Sequence, residues 1–207
     1  MSKAQTTKAH IIQQAAVVFN QQGYAGTSMA DIMQTTGLKK GGIYNHFSSK
    51  DELALAAFDF TVGLVAQQYK IALQGKRHSI ERLKVIIETF CSMVDKPAFK
   101  GGCPLMNTAI ESDDTHPTLR DRTCQAMDNW RQMIRKIISL GIKHGEIKSS
   151  LNADATTTIV ISTLEGALMM SHLYGDHVHL SWAKQHLFQY IATLQQTDDS
   201  TPLGLLE

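Results

Sequence analysis

The sequence has few cysteines, no long apolar run and no apolar leader, and each absence excludes a class of protein. Its three cysteines, Cys91, Cys103 and Cys124, are odd in number and widely separated, so we expect reduced thiols instead of a disulfide framework. No apolar run reaches the roughly 18–20 residues that a membrane-spanning helix requires. The polar N-terminus lacks the apolar segment of a secretory signal peptide. We therefore expect a soluble cytoplasmic protein without a membrane partner.

Short motifs of common enzymes and cofactor sites are also missing. The sequence contains no CxxC, HExxH, GxGxxG or Walker-type loop. We accordingly predict a protein that is not an enzyme, with no catalytic residues, no metal and no cofactor. One alternative stays open, because residues 111–116 combine carboxylates with a histidine. A small helical metal-dependent enzyme would use that segment, although helix capping explains the same residues.

Proline is scarce, and this scarcity favours helices. Only four prolines occur, and none lies in the first 96 residues. Sustained alternation of apolar and polar residues is absent, which argues against a sheet. The spacing predicts a first helix ended by Gly23, a second from Ser28 to about Thr35, and a third from Lys39 or Lys40 to about Phe47. A longer helix is predicted after Ser49. The residues expected on its buried face are Leu53, Ala56, Ala57, Phe60 and Leu64.

Charge is unevenly distributed although the net charge is only +1. Residues 1–50 contain five lysines and one acid, Asp31, which gives 5 − 1 = +4. The remaining residues carry 15 basic and 18 acidic side chains, or −3. A basic N-terminal unit on a mildly acidic body indicates a polyanionic partner for the first quarter of the chain.

The second and third predicted helices form a helix-turn-helix candidate. They are joined by residues 36–38, which include Gly37. Such a pair can lay its second helix in the major groove of DNA. Gly41 and Gly42 remove side chains at the start of that helix, so its backbone can approach a phosphate or a base edge closely.

Two segments, GYAGTSMADI at residues 23–32 and GLKKGGIYNHFSSKDEL at residues 37–53, resemble the DNA-binding segment of the tetracycline-repressor (TetR) family. More loosely, residues 164–175 resemble the penultimate, dimer-forming helix of that family. The resemblance implies an all-α fold of about nine helices. It further implies a ligand-responsive transcriptional regulator, a repressor that binds a palindromic double-stranded operator as a homodimer and is released by a small-molecule effector. A chain that only dimerises, as an adaptor, is a weaker alternative.

The resemblance also implies roles for individual residues. Phosphate contacts are expected from Thr27 or Ser28, Lys40, Tyr44, His46 and Lys50, with Thr36 as an additional one. Base contacts are expected from Lys39, Gly42 and Asn45. Lys39 stands where the family usually has a small hydroxyl residue, so the usual cap of the reading helix is missing.

The chain divides in this interpretation into a DNA-binding domain at residues 1–48, a ligand-binding and dimerisation domain at residues 49–197 and a flexible tail at residues 198–207. Inward helix faces with a few polar atoms suggest a ligand pocket formed by Phe90, Cys103, Met106, Asn107, Met127, Trp130, Glu165 and Met169. Small and apolar positions suggest a dimer seam formed by Ser162, Gly166, Ala167, Met170, Ser171, Leu187 and Ile191. For Cys103 two interpretations stay open, a packed thiol or a redox switch whose pKa a helix start lowers.

Overall fold

A computed structural model describes residues 2–94, 96 and 100–196. Within these residues the chain forms nine helices and no strand, apart from one isolated bridge between Ile147 and Gln195. The helices are α1 (Lys3–Gly26), α2 (Met29–Thr36), α3 (Lys40–Tyr44), α4 (Lys50–Ala72), α5 (Ser79–Met93), α6 (Pro104–Ser112), α7 (Pro117–Lys143), α8 (Ala153–Tyr174) and α9 (Val178–Thr193). The predicted all-α fold of about nine helices is confirmed. The predicted tail at residues 198–207 lies outside the described residues.

Local capping explains most of the helix starts. Ser28 and Asp31 form a complete capping box at the start of α2, in which each side chain bonds the other's backbone amide. Asn152 accepts two backbone N–H groups at the start of α8. Gly23 has φ +76° and interrupts α1, so the predicted helix end at Gly23 becomes a kink, after which one further turn follows.

Helix α3 is shorter than predicted. It ends at Tyr44 instead of near Phe47. The backbone amides of His46 and Phe47 both bond the carbonyl oxygen of Ile43, which closes a tight turn. That turn buries Phe47 among α1, α2 and α4, where its side chain is 2% exposed.

The predicted buried face of α4 is wrong at its far end. Leu53 and Ala57 are buried, but Leu64 is 39% exposed. The buried face turns along the helix because α4 packs first against α1 and then against α5, α6 and α7. Its second half buries Tyr69 instead.

Buried apolar side chains form two clusters, and α4 contributes to both. We call the first the N-terminal unit; it consists of α1, α2, α3 and the first two turns of α4, around Ile11, Ile32, Ile43 and Leu53. The second cluster joins the rest of α4 to α5–α9. Because α4 is continuous, a shift of its second half must move the N-terminal unit.

Candidate functional site

The turn between α2 and α3 depends on Gly37. This residue ends α2 in the left-handed conformation at φ +69°, which a residue with a Cβ adopts only at a cost. No heavy atom lies within 4 Å of the position that a Cβ would take there, so conformation and not space selects glycine. The turn sets α3 across α2 with Ile43 fully buried beneath it.

The opposite side of α3 is open to solvent. We call it the α3 face; it comprises the exposed Ser28, Lys39, Lys40, Gly41, Tyr44 and Asn45 together with the half-buried Gly42, His46 and Lys50. Lys39 begins α3 without a side-chain cap, as its replacement of a hydroxyl residue implies. Nothing lies within 4 Å of a Cβ built on Gly41, so another molecule can approach this backbone directly.

Ring contacts hold two of the cationic side chains of the α3 face. The Lys40 ammonium lies 5.5 Å from the centre of the Tyr44 ring, and the Lys50 ammonium lies 4.2 Å from that of Tyr24. Lys50 also occupies the first turn of α4, whose amides are directed at the same region. The face therefore combines cations, free amides and hydroxyl donors, which is the donor set that binds phosphate.

Two predicted DNA contacts are wrong because their side chains are buried. Thr27 is 1% exposed, and its hydroxyl donates to the carbonyl oxygen of Gly23 at 2.6 Å. Thr36 is 7% exposed, and its hydroxyl donates to the carbonyl oxygen of Ile32 at 2.7 Å. Both hydroxyls close helix ends, whereas Ser28 is exposed and its hydroxyl donates to the Asp31 carboxylate at 2.6 Å.

A cavity of about 180 Å³ lies in the second cluster. Its walls come from α4, α5, α7 and the start of α6: Val62, Val65, Ala66, Tyr69, Phe90, Cys103, Pro104, Leu105, Ala126, Asn129, Trp130 and Met133. Trp130 stacks on Phe90 with ring centres 5.7 Å apart and on Tyr69 at 6.5 Å. The lining is mostly carbon with an aromatic wall, as in sites for small organic ligands.

Three of the eight residues predicted for the ligand pocket line this cavity, and the other five do not. Phe90, Cys103 and Trp130 line the cavity, whereas Met106 and Met127 pack against the core beside it. Met169 is 49% exposed on the outer side of α8, so its assignment to the pocket is wrong. The α4 residues Val62, Val65 and Tyr69 were missed, although their spacing of three and four residues is itself a helical stripe.

Burial decides the chemistry of the two titratable groups predicted for the pocket. It raises the pKa of the Cys103 thiol well above its usual range, which favours the interpretation of a packed thiol. Burial also raises the pKa of Glu165 to about 7, and the neighbouring Cys103 thiol opposes that shift. Glu165 is not itself a wall residue, but it lies close enough to the wall residues Cys103 and Tyr69 to contribute to the raised pKa of both groups.

Helix α6 connects this cavity to the N-terminal unit. Its first residues are cavity walls, while the Asn107 amide group donates to the carbonyl oxygen of Gly101 and to Asn20 Oδ1. Asn107, predicted to bind ligand, is not a cavity wall, and its amide instead holds α6 against α1. Gly101 completes the joint, since a Cβ there would come within 2.5 Å of the Asn20 carbonyl oxygen.

The far end of α6 caps the kink in α1. Both Glu111 carboxylate oxygens accept backbone N–H groups at 2.7 Å, one from Tyr24 and one from Ala25. The Tyr24 hydroxyl donates to Asp51, and the Tyr24 ring meets the His116 ring edge-on. The cavity and the α3 face are thus joined by two helices, α4 and α6.

Comparisons with known proteins identify this arrangement. Residues 11–57 match the family described as "Bacterial regulatory proteins, tetR family". Residues 79–187, more than half of the chain, match "Tetracyclin repressor-like, C-terminal domain". The chain belongs to the TetR family. The family resemblance predicted from residues 23–53 is confirmed, and the protein is a DNA-binding transcriptional regulator.

Relatives of known structure share both the sequence and the fold. A TetR transcriptional regulator from Chloroflexus aurantiacus J-10-FL is 43% identical, with a TM-score of 0.90, over 95% of this chain and 99% of that one. A TetR-family regulator from Cytophaga hutchinsonii is 33% identical, with a TM-score of 0.86, over 95% and 98%. In sequence, the chain is also similar to the transcriptional repressor DhaR of Mycobacterium sp. (strain GP1), with 23% identity over 78% of this chain and 80% of that protein.

The residues predicted to form the dimer seam of this TetR-family chain fall on two different sides of α8 and α9. Ser162, Gly166 and Met170 lie on the outer side of α8, at least partly exposed. Ala167, Ser171, Leu187 and Ile191 are buried within the protomer, so their assignment to the seam is wrong. The Ser171 hydroxyl, for example, accepts the N–H of Leu180 and ties α9 to α8.

The segment at residues 111–116 has structural roles in this TetR-family fold. Glu111 caps the α1 kink, and the His116 ring accepts the N–H of Leu119 at the start of α7. Asp113 and Asp114 are exposed, and none of the described residues forms a group of ligands that could hold a metal ion. No described helix is both long enough and apolar enough to cross a membrane.

Proposed function

We propose that the protein is a ligand-responsive repressor that acts in the cytoplasm as a homodimer on a palindromic operator, and that it is not an enzyme. The observation that carries the proposal is the connection of the α3 face to an apolar cavity through α4 and α6. Residues 1–48 form the DNA-binding domain and residues 49–197 the effector and dimerisation domain. DhaR, a distant relative, is a repressor by name.

Operator binding rests on the exposed members of the α3 face. Lys40, Lys50 and the Tyr44 and Ser28 hydroxyls contact phosphates, while Lys39, Asn45 and the bare backbone at Gly41 and Gly42 face base edges. In a two-fold dimer, two such faces enter successive major grooves about 34–36 Å apart.

Dimerisation is supported by the outer side of α8 and the start of α9. Apolar side chains there are open to solvent: Ile159 at 45%, Met170 at 38%, Leu173 at 74%, Tyr174 at 66% and Trp182 at 61%. A contiguous apolar surface of this kind marks a protein interface. A second copy of the chain covers it by pairing α8 and α9 with their counterparts in a four-helix seam.

Release follows from differential binding. An effector in the cavity touches α4 through Val62 and Tyr69 and touches α6 through Leu105. It releases the operator only if it binds the conformation with low affinity for DNA more tightly than the conformation with high affinity. Substantial release requires a difference of about 3–4 kcal/mol between these two binding free energies. Movement of α4 and α6 then alters the separation of the two α3 faces.

The test is binding to a fluorescent duplex that carries the DNA upstream of the protein's own gene, titrated with salt. We expect nanomolar, sequence-dependent binding with a steep negative salt slope. Tyr44→Ala combined with Lys50→Ala abolishes it. Lys136→Ala, which removes an exposed cation from α7, leaves the affinity unchanged. Weak binding that ignores sequence, also after selection from random duplexes, would overturn the proposal.

A further inference from the structure

Three buried polar groups beside the cavity have no hydrogen-bond partner within the part of the chain that the structure describes. They are the Tyr69 hydroxyl, the Trp130 indole N–H and both carboxylate oxygens of Glu165. Tyr69 is 3% exposed and Glu165 is 8% exposed. Unpaired buried polar atoms are costly and rare in folded proteins, so two acceptors beside one cavity, the Tyr69 oxygen and the Glu165 carboxylate, indicate a ligand that donates hydrogen bonds.

The charged groups around the cavity determine whether a cation or an anion is favoured as the ligand. Its twelve wall residues include no lysine, arginine or histidine. The acid Glu165 is not a wall residue, but it lies close enough to the wall residues Cys103 and Tyr69 to contribute to the raised pKa of both groups. An anion placed there would meet a carboxylate without any compensating cation, whereas a cation would stabilise the ionised carboxylate.

The aromatic wall of the cavity also favours a positively charged ligand. Phe90, Trp130 and Tyr69 form a stacked series along the cavity, with interplanar angles of 8° and 28°. The faces of such rings are negative, and a desolvated ammonium group beside them gains cation–π attraction. The Tyr69 oxygen can in addition accept an N–H from an amine.

The volume limits the size of the ligand. At about 180 Å³ the cavity is only slightly larger than an engineered cavity of about 150 Å³ that holds benzene. One aromatic ring with a short side chain fills it. We propose that the effector site binds a small arylalkyl amine as its ammonium cation, with the ring against Phe90 and Trp130 and the charge between Tyr69 and Glu165. This inference rests on the proposed ligand-responsive function and specifies the chemical class of the effector.

The experiment compares three single-ring probes by calorimetric titration of the full-length protein without DNA: 2-phenylethylamine, 2-phenylethanol and phenylacetate. We expect the amine to bind about tenfold tighter than the alcohol, and phenylacetate to bind most weakly. Glu165→Gln removes the preference for the amine and leaves the affinity for the alcohol within about threefold. Glu88→Gln, an exposed acid on α5, retains the preference.

Several results would overturn the proposal: equal or tighter binding of the alcohol, strongest binding of phenylacetate, no binding of the amine, or an unchanged preference in a folded Glu165→Gln variant. Tyr69→Phe provides a second variant with the ring retained, and it should weaken amine binding more than alcohol binding. The duplex assay separates this proposal from the previous one. Operator binding without amine binding rejects only the ligand class, and amine binding that never releases the operator rejects only the coupling.

Discussion

Glu165 links the free energy of unfolding to pH. Its folded pKa of about 7 exceeds its ordinary value of 4.5, so the folded protein binds more protons than the unfolded chain between these values. The free energy of unfolding therefore falls as pH rises through this interval and levels off above about pH 7. Tyr69 and Cys103, which face the carboxyl, have pKa values that burial raises, so neither ionises in this interval.

Glu165→Gln should remove this dependence. At pH 8 the variant should be more stable than the parent by up to about 3 kcal/mol, because the buried charge is gone. At pH 4.5 the two proteins should unfold at similar urea concentrations. Urea unfolding at both pH values measures the difference, with Glu88→Gln as the matched exposed change. An equal shift at both pH values would contradict the assignment.

Glu111 is a second single residue with a specific contribution to stability, which it makes through two hydrogen bonds. Glu111→Ala should lower the free energy of unfolding by about 1–2 kcal/mol, because the amides of Tyr24 and Ala25 lose a charged acceptor. Asp113→Ala, two residues away and exposed, should change it by less than about 0.5 kcal/mol. Urea titration followed by circular dichroism measures both variants. A similar loss in both would show that the carboxylate at position 111 has no special role.

At the scale of elements, substitutions in the α2–α3 turn and in α3 should have separate effects on stability and on DNA binding. Gly37→Ala forces a Cβ into the left-handed region and should cost about 1–2 kcal/mol of stability. Gly41→Ala lies in open space within α3 and should leave stability equal or slightly higher. The second change nevertheless places a methyl group on the α3 face, so operator affinity should fall about tenfold. Thermal melting and the duplex assay measure the two effects separately.

Elements defined by neighbouring residues could be predicted, and those defined by distant contacts could not. Ser28 and Asp31 are three residues apart, so their capping box is visible in the sequence. The early end of α3 depends on burial of Phe47 against α1 and α4. Asn107 looked like a ligand contact because nothing near it in sequence identifies Asn20 as its partner. The cavity was located through Phe90 and Trp130, whereas Tyr69 belongs to a helix that changes partners along its length.

At the scale of the whole molecule, the outer side of α8 should determine the oligomeric state. Leu173→Asp places a charge in the proposed seam and should convert a dimer of about 46 kDa into monomers of 22.9 kDa. Light scattering after size-exclusion chromatography measures the mass. Ile110→Asp provides the control, because Ile110 is 67% exposed on α6, away from the seam. A parent protein that is already monomeric, or a Leu173→Asp variant that stays dimeric, would place the interface elsewhere.

The apolar character of α8 was easier to predict than which of its residues are open to solvent. The apolar composition of α8 is visible in the sequence, and it predicts that both sides of the helix need cover. Which side is covered by the same chain depends on where α9 packs. Leu187 and Ile191 are 0% exposed because α9 lies inward against α5 and α8.

The cap that Glu111 supplies to α1 also has a consequence for the order of biosynthesis. Tyr24 and its acceptor are 87 residues apart along the chain. At about 5–20 residues per second, a ribosome needs roughly 4–17 s to proceed from one to the other. During that interval the kink in α1 of the nascent chain lacks its cap, the Glu111 carboxylate. The cap therefore forms only when α6 has emerged, after all the buried residues of the N-terminal unit have been synthesised.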